Sequence, residues 1–158
     1  MIIIDGYNVI GAAGEFGLAL SQPDKEIRLL RLLSSFRSRR HSRQTMLVVF
    51  DGHYGRLATG PRRYVHMGVG VEWALGETAD AVIARKVRSA ACAREIEVVT
   101  SDEQVLRTIS SSGAKGIRSQ EFLAGISRAF PDEPALEKPA APSAAEVSKW
   151  LEVFGDGH

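Results

Sequence analysis

Three short apolar runs in this chain each end on an acid. Met1-Ile2-Ile3-Ile4 runs into Asp5, Met46-Leu47-Val48-Val49-Phe50 into Asp51, and Ile96 to Thr100 into Ser101-Asp102. Short β-branched runs with little polar alternation are the pattern of parallel strands buried on both faces. Between them lie stretches of helical periodicity. Ser21-Gln22-Pro23-Asp24 marks a helix start, and Ile27, Leu30, Leu33 and Phe36 follow at helical spacing. Thr78 opens a helix expected to reach about Arg94, with Val82, Ile83, Val87, Ala90 and Ala91 inward. Ser101 and Gln104 have capping-box spacing for a helix that Gly113 stops, and Ser119 is expected to cap another reaching Phe130. Gly6, Gly11 and Gly14 suggest a loop after the first strand, and residues 52–63 a polar one. Tyr64 to Trp73 reads as one strand or two short ones, and Gly116 to Arg118 as a last short strand. The order β-α-β-(β)-α-β-α-β-α predicts an α/β fold with a parallel or mostly parallel sheet covered on both faces.

With 158 residues, 44% apolar and 25% charged, the chain can build one full hydrophobic core and a short appendage. The expected division is a domain over 1–130, a Pro/Ala-rich linker over 131–142, and a short amphipathic helix over 143–155. In that helix Ser143 and Glu146 have capping-box spacing, and Val147, Trp150, Leu151 and Phe154 share a face. So short a helix is unstable alone, so it is expected to dock in cis or on a second protomer. No stretch approaches the ~20 apolar residues a membrane span needs. The first run has neither a basic prefix nor a cleavage site, so a signal peptide is not expected and the cytoplasm is the expected compartment. The single cysteine, Cys92, excludes an internal disulfide framework, and its Ala-rich surroundings read as a buried helix face.

Charge is uneven along the chain. Residues 1–130 hold 18 of the 20 basic and 13 of the 19 acidic residues, a net of +5, whereas residues 131–158 carry −4. A basic body suggests a polyanionic partner.

In an open α/β sheet the ligand crevice lies beyond the carboxyl ends of the strands. Asp5, Asp51 and Asp102 are therefore expected at one sheet edge, joined by Asp80 in the first turn of the helix that Thr78 opens. Each also has a local role open to it: turn chemistry for Asp5 and Asp51, the helix dipole for Asp80 and Asp102. Together, crowded carboxylates repel one another and call for a cation. Oxygen ligands without Cys or clustered His select Mg²⁺ or Mn²⁺ over zinc.

Ile4-Asp5-Gly6-Tyr7-Asn8-Val9-Ile10 resembles the opening motif of the YacP-like group of NYN domains, relatives of the PIN-domain and FLAP nucleases. Val48-Val49-Phe50-Asp51 with His53, Glu77-Thr78-Ala79-Asp80 and Val99-Thr100-Ser101-Asp102 agree in order, over about residues 1–126. The resemblance implies a PIN-like three-layer domain and Mg²⁺- or Mn²⁺-dependent endoribonuclease activity. It implies that Asp5, Asp80 and Asp102 are the metal ligands, with Asp51 and Asn8 supporting them. Relatives are thought to act on translated messages, so it also implies RNA, such as mRNA within the ribosome, as partner. In-line attack by metal-activated water would leave a 3′-hydroxyl and a 5′-phosphate.

Around this core, Glu77 and Ser101 are candidates for outer support of the ligands. Arg37, Arg39, Arg40 and Arg43, with Arg56, Arg62 and Arg63, are candidates to track an RNA backbone, and Tyr54 and Tyr64 to stack on unpaired bases. His53 suits a loop or phosphate-contact role. Two other classes compete. A non-catalytic RNA- or ribosome-binding module of the same fold would show no Mg²⁺-dependent cleavage. A phosphohydrolase with an aspartyl nucleophile would usually carry a second acid two residues after Asp5, where Tyr7 stands. The glycine spacing from Gly6 to Gly11 is wrong for a dinucleotide-binding turn.

Overall fold

Alternation along the strands decides how the layers stack. The computed structural model describes residues 1–41, 43–52, 61–131 and 143–154, with the backbone alone over 150–154. Strand β1 (Ile2–Asp5) pairs in parallel with β2 (Met46–Asp51) on one side and with β5 (Glu97–Val99) on the other. Outside β2 lies β4 (Val69–Ala74), also parallel, then β3 (Arg63–His66), antiparallel to β4. Outside β5 lies β6 (Lys115–Ile117), parallel. The order is β3-β4-β2-β1-β5-β6, so the chain builds outward from β1, then returns to its other side. The crevice between the carboxyl ends of β1 and β5 is thus the switch point.

Ile2, Ile4, Val48, Phe50, Val71 and Trp73 point to one face, under helices α1 (Gly6–Ala12), α2 (Lys25–Arg39) and α5 (Ser119–Ala129). Ile3, Val49, Ala74 and Val98 point to the other, under α3 (Ala79–Ser89) and α4 (Glu103–Ser111). Period two therefore sends Asp5, Asp51 and Thr100 to the α3/α4 face. The result is a three-layer α/β/α fold.

Some elements differ from the expectation. Residues 6–12 form α1 and not a loop. Asp5 caps it by accepting from the Asn8 backbone N–H at 3.4 Å. Gly6 is required there, because a Cβ would stand 2.3 Å from the Phe50 ring. Tyr64 to Trp73 forms two strands joined at Met67 and Gly68, both at positive φ (52° and 79°), as a two-residue hairpin turn of the primed kind demands. Helix α3 ends at Ser89, not near Arg94, and Cys92 is exposed rather than on a buried helix face. Eleven residues of helix rise roughly 16 Å, about the height of the neighbouring strands, so a longer α3 would overshoot the sheet before the chain returns into β5.

The last helix, α6 (Ala144–Phe154), begins at the expected capping box. Ser143 donates from its backbone N–H (3.0 Å) and hydroxyl (2.8 Å) to Glu146 Oε2, and Glu146 N–H donates back to Ser143 Oγ. Glu146 also pairs with Arg31 of α2. The expected linker lies outside the described residues from 132 onward.

Candidate active site

Every helix that follows a parallel strand starts at the carboxyl edge of the sheet; acids cap two of those starts, and a third acid braces another. Asp5 caps α1. Asp102, not Ser101, caps α4, its Oδ1 accepting from the N–H groups of Gln104 (2.8 Å) and Val105 (3.2 Å). Asp51, at the end of β2, accepts from the Ala79 N–H at 2.7 Å and so ties β2 to the start of α3. Thr78 is the N-cap of that helix, its hydroxyl accepting from Ala81 N–H at 3.2 Å. The local roles open to these acids are therefore filled, and they use one carboxylate oxygen each from Asp51 and Asp102. Asp80, in the first turn of α3, accepts no hydrogen bond among the described residues.

The four acids share one field. Burial is the main cause that lifts the Asp5 carboxyl to about 6, opposed by its bonds from Thr100 and Asn8 and helped by Asp80 and Asp51. Burial, then Asp102 and Asp51, push Asp80 upward as well. Among the described residues no Lys or Arg pairs with any of the four. No three Asp, Glu, His or Cys side chains among those residues stand close enough to hold an ion by themselves.

A polar web behind the acids sets their positions. Thr100, fully buried, donates from Oγ1 to Asp5 Oδ2 (3.1 Å) and accepts from the Asp102 N–H (3.2 Å). Asn8 Oδ1 accepts from the Ser101 N–H (2.8 Å) and the Ser119 hydroxyl (2.6 Å), pinning α1 to the turn before α4 and to the start of α5. Ser101 Oγ in turn donates to Gln120 Oε1 and accepts from Ser119 N–H. Ser119 is thus the first residue of α5, its hydroxyl turned to Asn8, and Arg118 is the N-cap without a side-chain bond.

Other sequence candidates lie elsewhere. Glu77 is paired with Arg62 (2.8 Å) and with Arg85, which hold its carboxyl below the usual range. Arg63 pairs with Glu72 at 2.9 Å. Glu72 is a fully buried acid on β4 that also meets Lys86 of α3 at 2.6 Å, and the sequence reading did not single it out. Tyr64 is half-buried against the core on the α1/α2/α5 face, its hydroxyl against Trp73, so it does not face the acids. Arg37, Arg39, Arg40 and Arg43 lie where α2 returns to the start of β2, which is the amino edge of the sheet. The structure does not bring them together with the acids. His53, Tyr54 and Arg56 lie outside the described residues. Thr100 and Ser119 were missed as site residues, although Thr100 had a signal: it stands two residues after Val98, on the same face.

Two solved structures share this architecture. A tryptophan-to-leucine variant of Rae1 (YacP) from Bacillus subtilis superposes with a TM-score of 0.67 at 22% identity, covering 97% of this chain and 91% of that one. A second crystal structure of Rae1 (YacP) from Bacillus subtilis gives 0.64 at 27% identity, covering 83% and 75%. No curated protein matches the chain. The family model of YacP-like NYN domains matches residues 2–144. That family is one of PIN-like nucleases, hydrolases that generally use divalent metals. By its match over most of its length, the chain belongs to the YacP-like NYN domain family.

Proposed function

We propose that this chain is an endoribonuclease that hydrolyses RNA phosphodiester bonds with Mg²⁺ or Mn²⁺ held by Asp5, Asp80 and Asp102, with Asp51 and Asn8 in support. One observation carries this reading. Asp5, a buried carboxyl at the switch point, shares its edge with Asp51, Asp80 and Asp102, and no Lys or Arg among the described residues pairs with any of the four; burial and the neighbouring acids push its carboxyl up accordingly, to about 6. Carboxylates arranged this way are relieved by a divalent cation. An all-oxygen donor set suits Mg²⁺ or Mn²⁺. Fewer than three of these side chains converge closely enough to touch one ion directly, so part of the set would reach it through retained waters, the manner in which Mg²⁺ takes one or two carboxylates and a substrate phosphate.

Bound there, such an ion supplies Lewis acidity and a water made nucleophilic near neutral pH. The chain's own residues supply the positioning. Asp5 is held at both oxygens, by the Asn8 N–H and the Thr100 hydroxyl. Asp102 and Asp51 each keep one oxygen outside their helix-capping bonds, and Asp80 keeps both. Asn8, its carbonyl oxygen engaged by Ser101 and Ser119, keeps its amide nitrogen as a donor for a phosphate oxygen. Arg62 and Arg63, at the start of β3 on the same side of the sheet, are engaged by Glu77 and Glu72 and are not assigned to substrate. The family resemblance supports translated messenger RNA in the ribosome as substrate, hence a cytoplasmic setting. The Arg31–Glu146 pair supports docking of α6 in cis.

The test compares the wild-type chain with Asp5→Asn on single-stranded RNA in Mg²⁺, Mn²⁺ and chelator, together with Mn²⁺ binding followed by electron paramagnetic resonance. Metal-dependent cuts that leave 5′-phosphates, lost in the variant along with Mn²⁺ binding, are expected. A folded Asp5→Asn that cuts at the wild-type rate refutes the scheme. RNA binding without any metal-dependent cleavage by the wild type would leave the non-catalytic module.

A further inference from the structure

The acid edge has a basic counterpart. A helix between parallel strands runs antiparallel to them, so the helix C-termini gather at the amino edge. Helix α2 ends there with Arg37 and Arg39 in its last turn, Arg40 at its C-cap and Arg43 just before β2, and α5 ends there with Arg128. The two ends touch: the Arg39 guanidinium lies 4.5 Å from the centre of the Phe130 ring, and Arg40 lies 5.4 Å from that of Phe36. Stacking engages the flat face of a guanidinium, whereas phosphate is recognised by its edge.

Helix dipoles alone favour basic residues at C-termini. Two observations go beyond that explanation. Arg40 and Arg43 stand past the last turn, and both are exposed, as is Arg128. In addition, Arg28, Arg62, Arg63 and Arg118 are neutralised, by Asp24, Glu77, Glu72 and Glu103, whereas the exposed Arg88 and Arg94, which form no ion pair among the described residues, stand at the same amino edge, where α3 returns to β5. Among the described residues Arg37, Arg40, Arg43 and Arg128 form no ion pair. A strand of six residues such as β2 spans roughly 20 Å, so these cations cannot contact the phosphate that the acids address.

We propose that this arginine edge binds the RNA phosphate backbone several nucleotides away from the bond that is cut, anchoring long substrates to the face opposite the acids. The distance from the cut bond rests on the ribonuclease reading; phosphate binding at this edge does not.

The experiment is binding of labelled single-stranded RNA, a long one and a hexanucleotide, by fluorescence anisotropy across a salt series in chelator, so that cleavage plays no part. It compares the full chain with a triple variant, Arg40→Gln, Arg43→Gln and Arg128→Gln. Each lost phosphate contact should lower the logarithmic salt slope by about 0.7. The variant should therefore lose about 2 in slope and at least about tenfold in affinity for the long RNA. Far-ultraviolet circular dichroism and the melting temperature establish that the variant is folded. An unchanged slope and affinity overturns the proposal, as it would if the chain's own acidic segment after Phe130 occupied this edge. Competition by polyglutamate as effective as by RNA of equal charge also overturns it, in favour of an acidic protein partner. Loss of slope as expected, in a wild-type chain that cuts no RNA, sustains the anchoring edge and rejects the nuclease reading.

Discussion

The Thr100 hydroxyl stands 3.1 Å from Asp5 Oδ2 and, as acceptor, 3.2 Å from the Asp102 N–H, so one buried group couples the acid that ends β1 to the acid that opens α4. Thr100→Val keeps the shape and removes the hydroxyl. It leaves a buried carboxylate oxygen and a backbone N–H each one bond short, at about 1–3 kcal/mol apiece. Outer partners of ligands typically matter about 10–100-fold for metal affinity. The expected result is Mn²⁺ affinity lowered within that range and restored by Thr100→Ser. A Thr100→Val chain that is less stable but binds Mn²⁺ as tightly as the wild type would limit Thr100 to a packing role.

The Asp5 carboxyl also sets a pH dependence. Its folded value, about 6, lies above the ordinary 3.8, so the folded state holds this proton more tightly than the unfolded one. Above pH 6 the buried charge destabilises the fold. That penalty shrinks as the pH falls through the window from about 6 to 3.8 and is gone below it. A shift of about two units corresponds to about 3 kcal/mol. Asp5→Asn removes the charge but gives up one of two hydrogen bonds, about 1 kcal/mol. In chelator the variant should therefore be more stable than the wild type at pH 7.5 by about 2 kcal/mol, and lose that advantage by pH 4. Urea midpoints at the two pH values measure it. Equal midpoints at pH 7.5 would mean that Asp5 is not electrostatically strained.

Strand ends were the legible part of this chain. An apolar run stopping at an acid is contiguous in sequence, and parallel topology does the rest, so the sequence alone puts Asp5, Asp51 and Asp102 at one edge. Asp80 followed from its place in a helix's first turn. What sequence hid depends on distant residues. Gly6 looks like a loop residue until Phe50, forty-four positions on, is seen packed where its Cβ would be. The end of α3, and with it the exposure of Cys92, is set by the height of the sheet rather than by local composition. The α2 arginines read in sequence as candidates to track an RNA backbone, because a basic run carries no mark of which sheet edge it reaches. The direction of a crossover helix sends them to the opposite edge.

Glu72 offers a stability prediction of opposite sign. Burial pushes its carboxyl up, but the bonds from Arg63 and Lys86 outweigh that and hold it below the usual 4.5. Its contribution is therefore complete above about pH 4.5 and is lost as the pH falls through the lower folded value. Glu72→Gln leaves Lys86 facing a neutral group inside the α3 layer. Removing one partner of a buried pair costs about 3–5 kcal/mol; the exposure of Arg63 brings the expected loss here to about 1–3 kcal/mol at pH 7. Denaturant melts should show the gap closing below pH 4. A gap that persists in acid would assign the loss to packing.

Asp51 and Asp80 separate structure from chemistry at the same helix end. Asp51 Oδ1 satisfies the Ala79 N–H at 2.7 Å, so Asp51→Ala strips α3 of an N-terminal bond and should cost about 1–2 kcal/mol, the range for lost helix caps. Because the first turn of α3 carries Asp80, fraying it should also weaken Mn²⁺ binding, and Asp51→Asn, whose amide oxygen can still accept, should recover much of both. Asp80 accepts no bond among the described residues, and burial, Asp102 and Asp51 all raise its carboxyl. Asp80→Asn should therefore leave the melting temperature in chelator unchanged or higher while abolishing Mn²⁺ binding and cleavage. Paired melting and Mn²⁺ titrations of the three variants decide between the roles. An Asp80→Asn chain that melts early would show that this side chain holds the fold and would remove it from the list of ligands.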